Sequence, residues 1–238
     1  MRKYITSTLL SLSISYSIHA QENVYPGIAQ LSKPFASMSP SPFRGKNLYF
    51  GGNWVKARLL TSNNYILNSD SFLFNFDKID RRLLITADYK SLFEIDHREF
   101  KAIEFYVGDT AYFFKHIYII NDKDLFQVLV RDEGRYSLFK VMRTKIVRGT
   151  VGTFGNITLV PTSNFLVDRY EDVAQYYIFF PNKEYRSFFT IKRAAIKRLF
   201  GLNPESSKVD DFFNTIGDKN YDEGDLVQLV SYLNSGSL

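Results

Sequence analysis

From Asn47 to Val147 apolar and polar residues alternate in short runs: Trp54 to Leu60, Phe72 to Phe76, Leu83 to Thr86, Ile103 to Val107, Tyr112 to Ile120, Phe126 to Val130 and Ser137 to Val147. A period of two sends successive side chains to opposite faces of a pleated backbone, so these runs predict strands. Gly108-Asp109, Asn121-Asp122 and Asp132-Glu133-Gly134 fall between runs, where hairpins need turn residues, which predicts an antiparallel meander. Two further strands, Tyr176 to Phe180 and Ser187 to Ile191, are joined across Pro181-Asn182-Lys183. Gly149 to Asp172 keeps no sustained period and reads as a long loop or ragged hairpin. Its Gly149, Gly152 and Gly155 lack the following helix start that a phosphate cradle requires.

The period changes after Ile191. Ala194, Ala195, Ile196, Leu199 and Phe200 suit a short helix with Lys192, Arg193, Lys197 and Arg198 on its wet side, ended by Gly201 and Pro204. Ser207 and Asp210 resemble a capping box opening a second helix through Val209, Phe212, Phe213 and Ile216, which Gly217 stops. Asp222 opens a third, with Leu226, Val227, Leu229, Val230 and Leu233 toward a core. Together the elements predict a β-dominated α+β fold. An antiparallel sheet curls into a sandwich or partial barrel, and two or three C-terminal helices (about 193–235) cover one end or face.

The first twenty residues read differently. Arg2 and Lys3, the mostly uncharged Ile5 to Ile18, and Ile18-His19-Ala20 form a charged region, an apolar region and a small-residue cleavage site, which predicts a signal peptide cut after Ala20. The stretch is too short and serine-rich to span a bilayer. Residues 21–46 carry Pro26, Pro34, Pro40 and Pro42 among serines and read as an extended or poorly ordered leader. The remainder, 47–238, reads as one β-rich domain. The expected destination is the periplasm, the outer-membrane surface or the extracellular space.

Composition narrows the chemistry. The 238 residues include no cysteine, so neither a disulfide scaffold nor a lipid-anchoring cysteine is available. The aromatic share of 16% suits pleated, half-buried surfaces. Losing Arg2 and Lys3 lowers the formal charge from +5 to +3, which argues against nucleic acid as a partner. No later apolar run is long enough for a membrane span, so an integral membrane protein is not expected. A transmembrane barrel is disfavoured too, because the chain closes on an amphipathic helix.

Only His97 and His116 remain after export, leaving little for a metal site and pointing to no cofactor. His97 lies in Asp96-His97-Arg98-Glu99, where Asp96 and Glu99 offer acids that orient or tune an imidazole; the competing reading is a charged turn. His116 reads as a strand residue. Trp54, Tyr49, Phe50, Tyr176 and Tyr177 are candidates for a sugar-stacking platform, and core packing explains the same rings. Abundant carboxylates leave an Asp/Glu hydrolase open without singling out a pair.

Gly52-Asn53-Trp54 leading into Ala57-Arg58-Leu59-Leu60 resembles a pattern in a loose group of uncharacterised exported proteins of Bacteroidota. So do Phe74-Asn75-Phe76-Asp77-Lys78-Ile79, Leu83-Leu84-Ile85, Ile103-Glu104-Phe105, Tyr136-Ser137-Leu138-Phe139-Lys140 and the closing helix to Asn234. The resemblance spans Lys46 to Asn234 and implies export, with no activity or catalytic residues to carry over. Asp109-Thr110-Ala111 resembles the O-glycosylation motif of that phylum, which implies modification at Thr110 in an exposed hairpin turn.

Export, modest charge and no catalytic signature lead to the functional expectation. The chain is a non-catalytic secreted or envelope accessory module that binds a protein partner, such as an outer-membrane or secretion-system component, or a glycan. Its leader reaches that partner or adds a strand to the partner's sheet edge. The alternatives are a hydrolase using Asp/Glu acid-base chemistry and a carrier of a small apolar ligand, whose sheet must enclose a cavity.

Overall fold

Along Lys56–Thr61, Ala57, Leu59 and Thr61 are buried while Lys56 and Arg58 are exposed, so the period of two follows one covered and one open face. The structure, a computed structural model, describes residues 32–34, 48–68, 72–87, 89, 92–131, 135–147, 169–201 and 204–235. The expected signal peptide with its cleavage site, most of the leader, and the loop over 149–168 lie outside the described residues.

The strands are β1 (Ser32–Pro34), β2 (Lys56–Thr61), β3 (Ile66–Asn68), β4 (Leu73–Asp77), β5 (Arg82–Thr86), β6 (Leu92–Ile95), β7 (Phe100–Val107), β8 (Thr110–Ile117), β9 (Asn121–Val130), β10 (Ser137–Val147), β11 (Arg169–Phe179) and β12 (Tyr185–Phe188). The helices are α1 (Arg193–Phe200), α2 (Ser206–Ile216) and α3 (Glu223–Ser235). Eight strands form one antiparallel sheet in the order β12-β11-β10-β9-β8-β7-β2-β3, and four form a smaller one, β1-β6-β5-β4. The large sheet is not closed. The fold is the expected β-dominated α+β class, as a two-sheet sandwich with three C-terminal helices.

Two different layers cover one face of the large sheet. Over its β2, β7 and β8 half, Phe74, Phe76, Leu83 and Ile85 of the small sheet pack on Leu59, Ile103, Phe105 and Phe114. Over its β10 to β12 half, Phe200, Val209, Phe213, Leu229 and Leu233 of the helices pack on Leu138, Tyr176, Ile178 and Phe188. Leu125 and Leu129 of β9, four residues apart and so on the same side, join the first and second cluster respectively. The opposite face carries a third cluster, Ile117, Phe126, Phe139, Val141 and Tyr177.

Polar residues fix the layers where apolar packing alone leaves the register free. Asn75 is fully buried, and its amide accepts from Phe76 N–H at 2.9 Å and Phe50 N–H at 3.3 Å while donating to the carbonyls of Asn53 at 2.8 Å and Gly51 at 3.3 Å. That holds the segment 48–55 against β4 before it enters β2. At the β4–β5 turn, Arg81 reaches the large sheet and pairs with buried Asp124 at 3.2 Å, which Arg143 also meets at 2.7 Å. Neighbouring Lys78 donates to Asp172 of β11 at 2.6 Å. The Asn234 amide closes α3 onto the chain before β10, accepting from Tyr136 N–H at 2.7 Å and donating to its carbonyl at 2.8 Å.

Several elements depart from the sequence reading. Leader residues Ser32–Pro34 add a strand to the edge of this chain's own small sheet, pairing antiparallel with β6. β3 and β6 join the sheets as well, and β11 begins at Arg169, so residues 169–172 are strand rather than loop. Here the pairing of β11 with all eleven residues of β10 overrides the polar sequence Arg-Tyr-Glu-Asp. Ser207 lies inside α2 and caps nothing, whereas Asp222 and Asp225 form a reciprocal box at the start of α3, each side chain accepting from the other's N–H at 3.0 Å. Gly217, at φ 72°, ends α2 as expected, because a left-handed residue there costs a glycine little.

Candidate functional site

The rings proposed as a sugar platform are dispersed. Tyr49 donates its hydroxyl to Gln127 at 2.7 Å and meets Phe50 and Phe114 edge-on at 5.0 and 5.1 Å. Tyr176 is 6% exposed, stacks on Phe188 at 5.5 Å and donates to Glu223 at 3.0 Å, a carboxylate that Lys140 also holds at 2.7 Å. Burial first, and the Glu223 charge second, push both phenols up from the ordinary value of 10. Trp54 is half-buried on the segment before β2.

The acid-imidazole group sits on the turn between β6 and β7. Asp96 accepts from Arg98 through the backbone N–H at 3.0 Å and the guanidinium at 2.6 and 3.0 Å. Those Arg98 bonds, more than any other cause, hold the Asp96 carboxyl well below the usual range. His97 Nδ1 lies 3.4 Å from Asp96, and Glu99 is exposed. Thr110 opens β8 directly after the turn at Gly108, whose φ is 57°, and is exposed as the hairpin reading requires. Among the described residues no three His, Asp or Glu side chains converge in a way that could hold a metal ion, and no helix is long and apolar enough to cross a membrane.

A cleft of about 660 Å³ opens on the face of the large sheet away from the helices. The residues that sequence reasoning proposed border none of it. Its apolar lining is Ile117, Ile119, Phe139, Phe179, Phe180 and Pro181; its cations are Lys115, Arg135 and Lys183; His116 and Ser137 complete it. The local folding explains why parts so far apart in sequence meet. Bulges interrupt the pairing of β8 with β9 at His116/Ile117 and of β9 with β10 at Leu138/Phe139. A bulge bends its strand and strengthens the twist, so the end of β8 curls toward β11. Phe139 meets Phe179 edge-on at 5.3 Å, and Phe179 stacks at 5.4 Å on its cross-strand partner Tyr185.

The cations occupy three different places. Lys115 lies over the Phe139 ring at 4.9 Å, Arg135 pairs with Glu205 across from the cleft, and Lys183 sits exposed in the β11–β12 turn with φ 66°. Among the described residues no carboxylate lines the cleft. Among the described residues neither Lys115 nor Lys183 has an acidic partner within salt-bridge distance. Exposed Ile119 and Tyr118, at 68% and 59%, stand at the β8–β9 turn beside the opening. His116 is buried, with Nδ1 at 3.1 Å from the Asp124 carbonyl and Nε2 lacking a partner among the described residues; burial is the main reason its pKa falls below 6.5.

A groove of comparable size, about 690 Å³, runs between β11 and the helices past Tyr176, Phe189 and Tyr221. Its charges are largely matched already, since Lys219 meets Asp225 at 2.7 Å, Arg193 meets Asp218 at 3.3 Å and Asp172 meets Lys78 at 2.6 Å. Among the described residues the smaller cleft keeps two cations, Lys115 and Lys183, without an acidic partner beside apolar walls, which makes it the better ligand site. Comparison with protein-family models, curated proteins and solved structures gives no match for this chain, so its function is argued from the cleft itself.

Proposed function

We propose that the protein is an exported, non-catalytic binding module of the cell envelope and that the cleft between β8 and the β11–β12 turn is its ligand seat. One observation carries this reading: Lys115 and Lys183, neither with an acidic partner among the described residues, stand beside apolar walls in a cleft of about 660 Å³. That volume is within the range of about 300–1,000 Å³ common for ligand pockets. A bound anion pairs with these lysines while its apolar part covers the walls. The N-terminal segment supports export. Asp96, His97 and Glu99 supply no second reading, since Arg98 occupies Asp96 and none of the three lines the cleft, the His97 ring lying 6.3 Å from that of lining His116.

The test is a native pull-down from the cell envelope of origin, comparing the tagged wild type with Ile119→Trp, a bulky change at an exposed lining position. Mass spectrometry reads both co-purifying proteins and extracted small molecules. A component present at near-equal amounts with the wild type and lost from the variant is the expected result. Identical profiles for the two proteins overturn the cleft as the seat.

A further inference from the structure

Resting on the reading of the cleft as a ligand seat, we propose that its ligand is a small amphipathic organic anion, one carboxylate or sulfonate on an aromatic or short aliphatic body. Three features of the cleft select this class. Among the described residues its charge is of one sign, so a neutral lipid fills the apolar part and leaves Lys115 and Lys183 without a counter-charge. Among the described residues its neutral polar side chains are only Ser137 and His116, too few to satisfy the hydroxyls of an uncharged sugar ring. Its size suits a compact ligand, whereas a stable protein interface buries about 1,200–2,000 Å² in total.

The residues divide the work. Phe139 and Phe179, edge-on at 5.3 Å, with Ile117 beside them, form the wall for the apolar body. Lys183, exposed on its turn, meets the anionic head, and Lys115 lies next to it over the Phe139 ring. Arg135 already pairs with Glu205 and adds only a partly compensated charge. Attraction between a surface lysine and an anion is screened by salt, so affinity falls as ionic strength rises, by more than for an uncharged analogue.

Two fluorescent probes separate charge from shape: 8-anilinonaphthalene-1-sulfonate and its uncharged parent N-phenyl-1-naphthylamine, titrated into the chain from Gln21 to Leu238. Wild type, Lys183→Glu, Lys115→Gln and Ile119→Trp are compared, with equal urea midpoints showing that each is folded. The sulfonate binds at one site about tenfold or more tighter than the neutral probe. Lys183→Glu weakens the sulfonate about tenfold and the neutral probe less than about twofold, Lys115→Gln acts in the same direction, and Ile119→Trp weakens both. Equal binding of the two probes, unaffected by Lys183→Glu but weakened by Ile119→Trp, overturns the anion class and leaves the seat in place. Binding that Ile119→Trp does not touch removes the seat itself, and the proposed function with it.

Discussion

Replacing Asn75 by alanine isolates one polar contribution to the fold. The side chain has 0% exposure and makes four hydrogen bonds, at 2.9 and 2.8 Å to Phe76 and Asn53 and at 3.3 Å to both Phe50 and Gly51. A bond of ordinary length contributes about 1 kcal/mol net and a long one about half that, so the loss comes to about 3 kcal/mol. Urea unfolding followed by far-UV circular dichroism gives this number. The chain's single tryptophan, Trp54, follows Asn53 directly, so its emission reports release of the segment independently. Asn75→Asp keeps the two acceptor bonds but turns a carboxylate oxygen toward the two carbonyls, and loses at least as much. A loss below about 1 kcal/mol with unchanged Trp54 emission refutes the reasoning, because other contacts then hold 48–55 to β4.

Three further outcomes are expected. Asp124→Asn leaves Arg81 and Arg143 without their shared counter-charge; because both arginines are about a third exposed, at 35% and 36%, water takes up part of the cost and the loss is about 2 kcal/mol by urea unfolding. Burial holds the folded pKa of His116 below its unfolded value of 6.5, so its contribution is complete above pH 6.5 and is lost as pH falls through the folded value, where the unfolded chain binds the extra proton first. His116→Gln therefore flattens the stability profile just below pH 6.5, a window separate from that of Asp96, whose contribution through Arg98 is complete above its unfolded value of 3.8 and is lost only as pH falls below it; an unchanged slope contradicts it. Mass spectra of the native protein carry a glycan at exposed Thr110, and an unmodified peptide removes that proposal.

The strands that sequence displayed best are those covered on one face, such as β2, where burial alternates with each residue. β3 and β6 escaped because three and four residues are too few to show a period. The start of β11 escaped because its polar residues are strand only through pairing with β10. All three helices were legible from the change of period after Ile191. The cleft was not, since positions 115, 135 and 183 come together only through two bulges and the order of four strands. One signal was available: Leu138-Phe139 and Tyr176 to Phe180 are apolar at successive positions. Such runs imply cover on both faces of the sheet, and Tyr176 does turn to the helices while Tyr177 joins the cluster beside the cleft.

Occupancy of this cleft by a ligand in the living cell is what the proposed function requires. A photo-crosslinking side chain placed in turn at Ile119 and Lys183, which line the cleft, and at Ile66 and Phe189, exposed residues outside it, tests that occupancy most directly by intact mass after illumination of whole cells. A ligand seated in the cleft gives a discrete adduct at 119 and 183 and none at 66 or 189. Adducts confined to 66 or 189, or equal at all four positions, contradict it.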